Sequence, residues 1–244
     1  MAMPLPVPDP ADDSRTVDND AAEWPIGPMT FDEYLAYMEE TGVMYEYVGG
    51  MLYPLNGGGP NSGTVSHAAI AQNAAARLHT LGRGIGCRVY GGMLTLRTPR
   101  DVGYIPDVVV ACGPPPPNDA RHLDRPCLIV EVLSPTTSRV DGIEKLGAYR
   151  EIGSLRAYWI VEATWRCVHR HWREADGRWQ SEDVICDALL PVPCPVVTTL
   201  TLDAIYEGVD VPREPPPPVL RRVREPDAEY AIDGSPADVP EYAD

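Results

Sequence analysis

The sequence contains no long hydrophobic run. None of its apolar stretches approaches the roughly 20 residues that a membrane-spanning helix needs. The N-terminus, MAMPLPVPDP, also lacks the basic and then apolar pattern of a secretory signal. We therefore expect a cytoplasmic protein that makes no contact with a membrane.

Closely spaced cysteine pairs are missing as well. The six cysteines form no CxxC motif and show no zinc-like spacing with the five histidines. We expect reduced, mostly buried cysteines and no disulfide framework. The motifs GxGxxG, GxxxxGK[ST], HExxH and GxSxG are also absent, which argues against the common nucleotide-binding, zinc-protease and serine-hydrolase mechanisms.

Lysine is almost absent from this chain. Of its 20 basic residues 19 are arginine, and Lys145 is the one lysine. Arginine stays protonated in proteins, whereas the pKa of a buried lysine can shift into a useful range. Lys145 is therefore a candidate for a role that arginine cannot fill, and chance retention on a solvated helix face is the alternative.

Acidic residues outnumber basic ones, and the formal net charge is −16. This balance argues against a protein that coats nucleic acid by charge alone, because Lys and Arg carry nonspecific phosphate binding. Both ends, 1–27 and 210–244, are acidic and rich in proline, so we expect two disordered tails around one domain at 28–209. The mildly acidic domain can still handle DNA if metal ions neutralise phosphates locally.

Local signals divide the central region into helices and strands. Thr30 and Glu33 form a capping box and Gly42 is a stop signal, which predicts a helix over 31–41. Further helices are predicted at 64–81, at 141–152 and, as a short one, in TLTLDAIYEG; strands in CRVYGGMLTLR, YIPDVVVAC, CLIVEVL and AYWIVE; hairpins at Gly49-Gly50 and at Asp176-Gly177. This order predicts an α+β fold, a mixed β-sheet flanked by helices with a β-hairpin towards the C-terminus.

Two acids stand in segments that otherwise favour buried strands. Asp107 occurs in YIPDVVVA and Glu131 in LIVEVL. Because burying an unpaired carboxylate costs several kcal/mol, such residues persist mainly where a cation compensates them. If the two strands are neighbours, the carboxylates converge and suit Mg²⁺, which prefers oxygen ligands. A lysine nearby would offset the charge of a transition state.

Several segments resemble the Uma-two family, a group of restriction-endonuclease-like proteins within the PD-(D/E)XK superfamily. They are MTFDEYL, YEYVGG, YIPDVVVACG, LIVEVLSPTTSRVDGIEKLGAYREIGSLRAYWIV and LTLDAIYEG, and they span about residues 28–209. The resemblance implies a restriction-endonuclease-like fold and an endonuclease that cleaves DNA with Mg²⁺, or with Mn²⁺ as the alternative. It also implies that Asp107 and Glu131 ligate the metal, that the Val132 carbonyl adds a ligand, and that Glu46 lies at the rim of the site.

The chain departs from the superfamily pattern at Leu133, where the motif has lysine. Similar families supply the lysine from the following helix, which implies Lys145 here. The alternative function is a weakly active or inactive nuclease-fold module that acts in assembly. The displaced lysine and the acidic charge favour this alternative, while the joint presence of Asp107, Glu131 and Lys145 disfavours it. A homodimer is expected if both DNA strands are cut, since that needs two active sites.

Four other residues have open interpretations. Glu46 is either a functional acid or an ordinary surface residue. We expect His67 to be a helix cap or a polar contact rather than a base. His169 and His171 alternate along a predicted strand and share one face, but no third metal ligand is evident beside them.

Overall fold

A computed structural model describes residues 28–55, 63–133 and 139–215, with only the backbone of 139–143. The predicted tails at 1–27 and 210–244 therefore lie outside the described residues, apart from 210–215. Within the described ranges, no helix has both the length and the apolar character needed to span a membrane.

Four helices lie in the described part of the chain: α1 (Phe31–Thr41), α2 (Val65–Gly82), α3 (Arg139–Tyr149) and α4 (Leu202–Ile205). The capping box predicted for α1 is present, since Thr30 Oγ1 accepts the Glu33 N–H and the Glu33 carboxylate accepts the Thr30 N–H at 2.7 Å. Gly42 ends this helix at a φ of 67°, in the left-handed region. The local signals thus predicted the first and last residues of α1 correctly.

The same ranges contain thirteen strands: β1 (Tyr45–Val48), β2 (Met51–Pro54), β3 (Cys87–Gly91), β4 (Thr95–Arg97), β5 (Gly103–Tyr104), β6 (Val108–Cys112), β7 (His122–Leu123), β8 (Pro126–Leu133), β9 (Ala157–Glu162), β10 (Cys167–Arg173), β11 (Trp179–Ile185), β12 (Leu189–Val192) and β13 (Thr198–Thr201). A six-stranded sheet has the order β11-β10-β9-β8-β6-β3, and its one parallel pair is β8–β9. A five-stranded sheet has the order β2-β1-β5-β4-β7, and β12 pairs with β13.

The α+β class, a mixed β-sheet flanked by helices and the hairpin towards the C-terminus are confirmed. The division of the strands among three sheets was not predicted. The segment CRVYGGMLTLR, predicted as one strand, contributes to two of these sheets. It breaks after Gly91 into β3, which joins the six-stranded sheet, and β4, which joins the five-stranded sheet. A glycine pair interrupts a strand readily because it has no side chain to pack.

The six-stranded sheet carries a core on each face. Ile70, Ala74 and Leu78 of α2 are fully buried in the core of one face. Leu146 and Tyr149 of α3 are buried in the core of the other face. The sheet is thus held between α2 and α3, which places the N-terminal turn of α2 and the C-terminal half of α3 near the start of β6 and the end of β8.

The prediction that all six cysteines are reduced is wrong for four of them. The structure joins Cys87 to Cys112 and Cys127 to Cys194 in disulfides. The first pair arises because Cys87 and Cys112 are register partners of antiparallel β3 and β6, which sequence spacing does not reveal. Cys167 and Cys186 are free.

Gly103 is a point of close approach between α1 and the five-stranded sheet. A Cβ at this position would lie 2.9 Å from Thr95 Cγ2 and 3.0 Å from Phe31 Cε2. Both neighbours are buried, so we expect Gly103→Ala to lower the free energy of unfolding by about 1–3 kcal/mol. Gly147 in α3 is the control, since its Cβ would meet no atom within 4 Å and Gly147→Ala should stabilise by about 0.5–1 kcal/mol. Urea denaturation followed by circular dichroism measures both, and equal stabilities would contradict the packing argument.

Candidate active site

The two predicted acids meet where β6 begins and β8 approaches its end. β6 and β8 are antiparallel and pair Val108 with Val130, and the same register extended by one position sets Asp107 opposite Glu131. Burial raises the pKa of Glu131, and the charge of Asp107 adds to this rise, as it does for neighbouring carboxylates. The convergence expected from the sequence is therefore present.

Asp107 itself is not inside a strand, so that part of the prediction is wrong. It lies in a bend immediately before β6, directly after Pro106. Proline has no N–H to donate to a sheet ladder, which shortens the strand at this end. The Asp107 side chain instead binds the backbone of the neighbouring strand β8: its Oδ2 accepts a hydrogen bond from the Val132 N–H at 2.7 Å.

His67 is the second described contact of the Asp107 carboxylate. Its Nε2 lies 3.3 Å from Asp107 Oδ2. The hydrogen bond to Asp107 raises the pKa of His67 above its usual value, against the opposing effect of burial, and the Val132 backbone adds to the rise. His67 reaches this position from the first turn of α2.

Glu131 is held by α3, the helix on the opposite face of the sheet from α2. Its Oε1 accepts hydrogen bonds from Lys145 Nζ at 3.3 Å and from Tyr149 Oη at 3.1 Å. Lys145 and Tyr149 are four residues apart and therefore share one helix face. Burial raises the pKa of Glu131 to about 7, although the Lys145 charge opposes the rise.

Glu46 joins the site from the five-stranded sheet. Tyr45 and Tyr47 are buried in the core under α1, so strand alternation turns Glu46 the other way. Its Oε1 lies 2.6 Å from Lys145 Nζ, which places the ammonium group between two carboxylates. Burial lowers the pKa of Lys145, but Glu131 and Glu46 outweigh that effect and raise the pKa above its ordinary value. Glu46 is thus part of the cluster rather than an isolated surface acid.

The structure brings all of the sequence-predicted site residues together. They are Glu46, Asp107, Glu131, Val132 and Lys145. Within the described residues, the contacts of Asp107 fall on Oδ2 and those of Glu131 fall on Oε1. The arrangement can hold a hard cation through the other carboxylate oxygens, beside a buried ammonium group.

Sequence reasoning did not assign two neighbours of the carboxylates to the site. His67 was expected to be a cap or a polar contact; the cap is Thr64, whose side chain accepts the His67 N–H at 3.1 Å, and the imidazole makes the polar contact with Asp107. Tyr149 was not singled out. The signal that could have found it is its position four residues after Lys145 in EKLGAYR.

His169 and His171 lie on β10, away from the carboxylates of the site. His169 Nδ1 lies 2.6 Å from Asp183 Oδ1, and its Nε2 lies 3.0 Å from Glu162 Oε1. Burial opposes protonation of His169, but hydrogen bonds to Cys167, Glu162 and Asp183 outweigh it and raise the pKa to about 10. Burial lowers the pKa of His171 to about 4, with Arg150 adding to the effect. The two histidines therefore differ in charge at neutral pH.

The charged His169 makes stability depend on pH. Its folded pKa of about 10 lies above the ordinary 6.5, so its contribution is complete below pH 6.5 and disappears as the pH rises through 10. We expect the difference in unfolding free energy between wild type and His169→Gln to fall by about 2 kcal/mol over this pH interval. The full pKa shift would correspond to a larger change, but solvent screens the half-exposed Asp183 and weakens its contribution. Urea titrations at several pH values measure it. His79→Gln, in an exposed part of α2, is the control; a difference independent of pH would contradict the assignment.

Comparisons with known proteins agree with this architecture. The model of the Uma2 family, described as "Putative restriction endonuclease", matches residues 31–204. "Uncharacterized protein slr1290" of Synechocystis is 27% identical over 186 residues, covering 76% of this chain and 95% of that protein. "Uncharacterized protein sll1609" of the same organism is 28% identical over 157 residues, covering 62% and 84%.

A solved structure also matches the fold. It is described as "a putative nuclease belonging to DUF820" from Anabaena variabilis, and it superposes with a TM-score of 0.57 at 20% identity. The match covers 73% of this chain and 98% of the other. At this level of identity the likeness concerns the fold alone.

Proposed function

Because the chain belongs to the Uma2 family of restriction-endonuclease-like proteins, we propose that it is an Mg²⁺-dependent endonuclease that hydrolyses phosphodiester bonds of DNA. One observation carries the proposal: the Asp107 and Glu131 carboxylates and the Lys145 ammonium group meet where β6 begins and β8 approaches its end. Fold alone does not establish this function, so the proposal depends on the chemistry of these three side chains.

The oxygen donors fit a small, hard cation. Asp107, Glu131 and the Val132 carbonyl would hold it, and carboxylate and carbonyl oxygens are the ligands that Mg²⁺ and Mn²⁺ accept. When bound, the ion would make a water molecule more acidic and neutralise charge on the scissile phosphate. Two carboxylates this close, with Glu131 buried enough to raise its pKa to about 7, also favour the uptake of a cation.

The other residues of the site position the carboxylates and supply charge. Lys145 would offset negative charge that develops on the phosphate, and its raised pKa favours this role over proton abstraction. Glu46 holds the Lys145 ammonium group from one side, while Tyr149 orients Glu131. His67 would orient Asp107 from α2. The acidic domain should bind DNA weakly without divalent ions, since few cations are available for the phosphates.

The experiment incubates the full chain with supercoiled plasmid and, separately, with RNA. Nicking of the plasmid is expected with Mg²⁺ or Mn²⁺, none with a chelator, and little cleavage of RNA. Glu131→Gln keeps the shape of the side chain but removes its charge, and it should abolish nicking. Glu39→Gln, at an exposed position of α1, should leave the activity unchanged.

Two results would count against the proposal. Plasmid cleavage that survives Glu131→Gln would point to a different site or to a contaminant. Uptake of divalent ions without cleavage of any nucleic acid would favour the alternative function, a nuclease-fold module that acts in assembly. The expected homodimer is checked in the same preparations by gel filtration with light scattering.

A further inference from the structure

Four cysteines from four separate parts of the fold form a cluster at the end of the six-stranded sheet opposite the acidic site. They are Cys87 at the start of β3, Cys112 at the end of β6, Cys127 near the start of β8 and Cys194 between β12 and β13. Cys112 is five residues from Asp107, which along an extended strand corresponds to about 17 Å. The cysteine cluster is therefore separate from the site of the proposed function.

The two disulfides of the cluster are in contact with each other. Cys112 Sγ, which is joined to Cys87, lies 3.4 Å from Cys127 Sγ and 3.8 Å from Cys194 Sγ. The sulfur atoms of Cys112, Cys127 and Cys194 all lie within 4.8 Å of one another.

Two of the distances between sulfur atoms of different disulfides match a tetrahedral metal centre. Zinc bound by four thiolates has Zn–S distances of about 2.3 Å, which corresponds to S–S edges of about 3.8 Å. The contacts from Cys112 to Cys127 and Cys194, at 3.4 and 3.8 Å, are close to such edges. Cys127 and Cys194 are buried, while Cys112 at the strand end is exposed, so an ion can enter from solvent.

We propose that the reduced cysteine cluster binds one Zn²⁺ ion as a structural site. Thiolates select soft, tetrahedral ions, and zinc is the common ion of this class. One Zn²⁺ replaces the protons of four thiols, giving a Zn(Cys)₄ centre of charge −2 and four released protons. In the oxidised chain the same sulfur atoms form the disulfides Cys87–Cys112 and Cys127–Cys194.

The site would tie three parts of the fold together. It joins β3, β6 and β8 of the six-stranded sheet to the hairpin formed by β12 and β13. The C-terminal end of α2 packs on it as well, since a Cβ at Gly82 would lie 3.2 Å from Cys87 Cβ and 3.5 Å from Pro195 Cγ. Metal binding at this position should therefore stabilise the folded chain without touching the acidic site.

The experiment titrates the full chain with Co²⁺ and Zn²⁺ under a phosphine reductant, with circular dichroism to follow folding. We expect sulfur-to-cobalt charge-transfer bands, their loss when Zn²⁺ is added, about one Zn²⁺ per chain by elemental analysis, and a higher unfolding temperature with zinc. Cys112→Ser and Cys194→Ser should each lose the bands and the thermal shift. Two variants are used so that a folding defect in one does not decide the result.

Cys186→Ser is the matched control, because Cys186 is free and exposed and should bind no part of the ion. Three outcomes would overturn the zinc site: a folded, reduced chain that takes up neither ion; charge-transfer bands that persist in both serine variants; or four cysteines that stay disulfide-bonded by mass spectrometry while the reductant is present. None of these outcomes depends on nuclease activity, so failure of the zinc site and failure of the proposed function are distinguishable.

Discussion

Replacing Asp107 with asparagine is expected to lower Mg²⁺-dependent plasmid cleavage by about three orders of magnitude or more. The substitution keeps the size of the side chain and an oxygen that can accept the Val132 N–H, the 2.7 Å contact that ties Asp107 to β8. It removes the negative charge that the proposed cation requires. The chain should therefore stay folded while it loses divalent binding and activity together.

The measurement pairs plasmid nicking with calorimetric titration of Mg²⁺ or Mn²⁺. Asp101→Asn is the matched control, because Asp101 is an exposed aspartate paired with Arg97 and has a φ of 58°, a conformation that asparagine tolerates. It should leave both cleavage and ion uptake unchanged. Unaltered ion binding in Asp107→Asn would remove Asp107 from the metal site and would require a different ligand set.

Replacing Lys145 with methionine is expected to lower the cleavage rate about 10²- to 10³-fold without loss of divalent binding. Methionine fills a similar volume but carries no charge, so nothing would offset the charge that develops on the phosphate. Glu131 and Glu46 would lose the ammonium group that lies between them, 3.3 Å and 2.6 Å away. Uptake of the cation should therefore persist or strengthen while cleavage falls.

The two effects together distinguish a catalytic role of Lys145 from a structural one. Lys145→Arg should not restore full activity, because the larger planar guanidinium does not fit where a compact ammonium group contacts two carboxylates. Arg150→Met removes a cation from an exposed position one residue beyond the end of the same helix and should have little effect. Wild-type cleavage rates in Lys145→Met would contradict the proposed role.

Local structure was predictable because it depends on neighbouring residues. The Thr30 cap and the Gly42 stop defined α1, and the Gly49-Gly50 turn defined the first hairpin. Such signals act within a few residues, so they can be read along the chain. The local signals did not predict that β6 begins only at Val108, after Pro106 and Asp107. They also did not predict that the segment CRVYGGMLTLR breaks after Gly91 into two strands, β3 and β4.

The residues themselves and the resemblance to a known family each identified part of the candidate site. Strand composition indicated Asp107 and Glu131 and the scarcity of lysine indicated Lys145, while the resemblance added Glu46 and Val132 and linked Lys145 to the position missing at Leu133. The contact of His67 with Asp107 was not foreseen, because that contact depends on where the N-terminus of α2 lies over the sheet.

The sequence by itself determined the helices and most of the longer strands, which acids stand in or beside buried strands, and that a single lysine is available to them. Only the tertiary structure decided that β6 pairs with β8, so that Asp107 faces Glu131, and that a different sheet brings Glu46 to Lys145. It likewise brought four widely spaced cysteines to one point. Strand pairing and sheet packing join residues far apart in the chain, and their free energy comes from burial of whole faces, which no short stretch of sequence encodes.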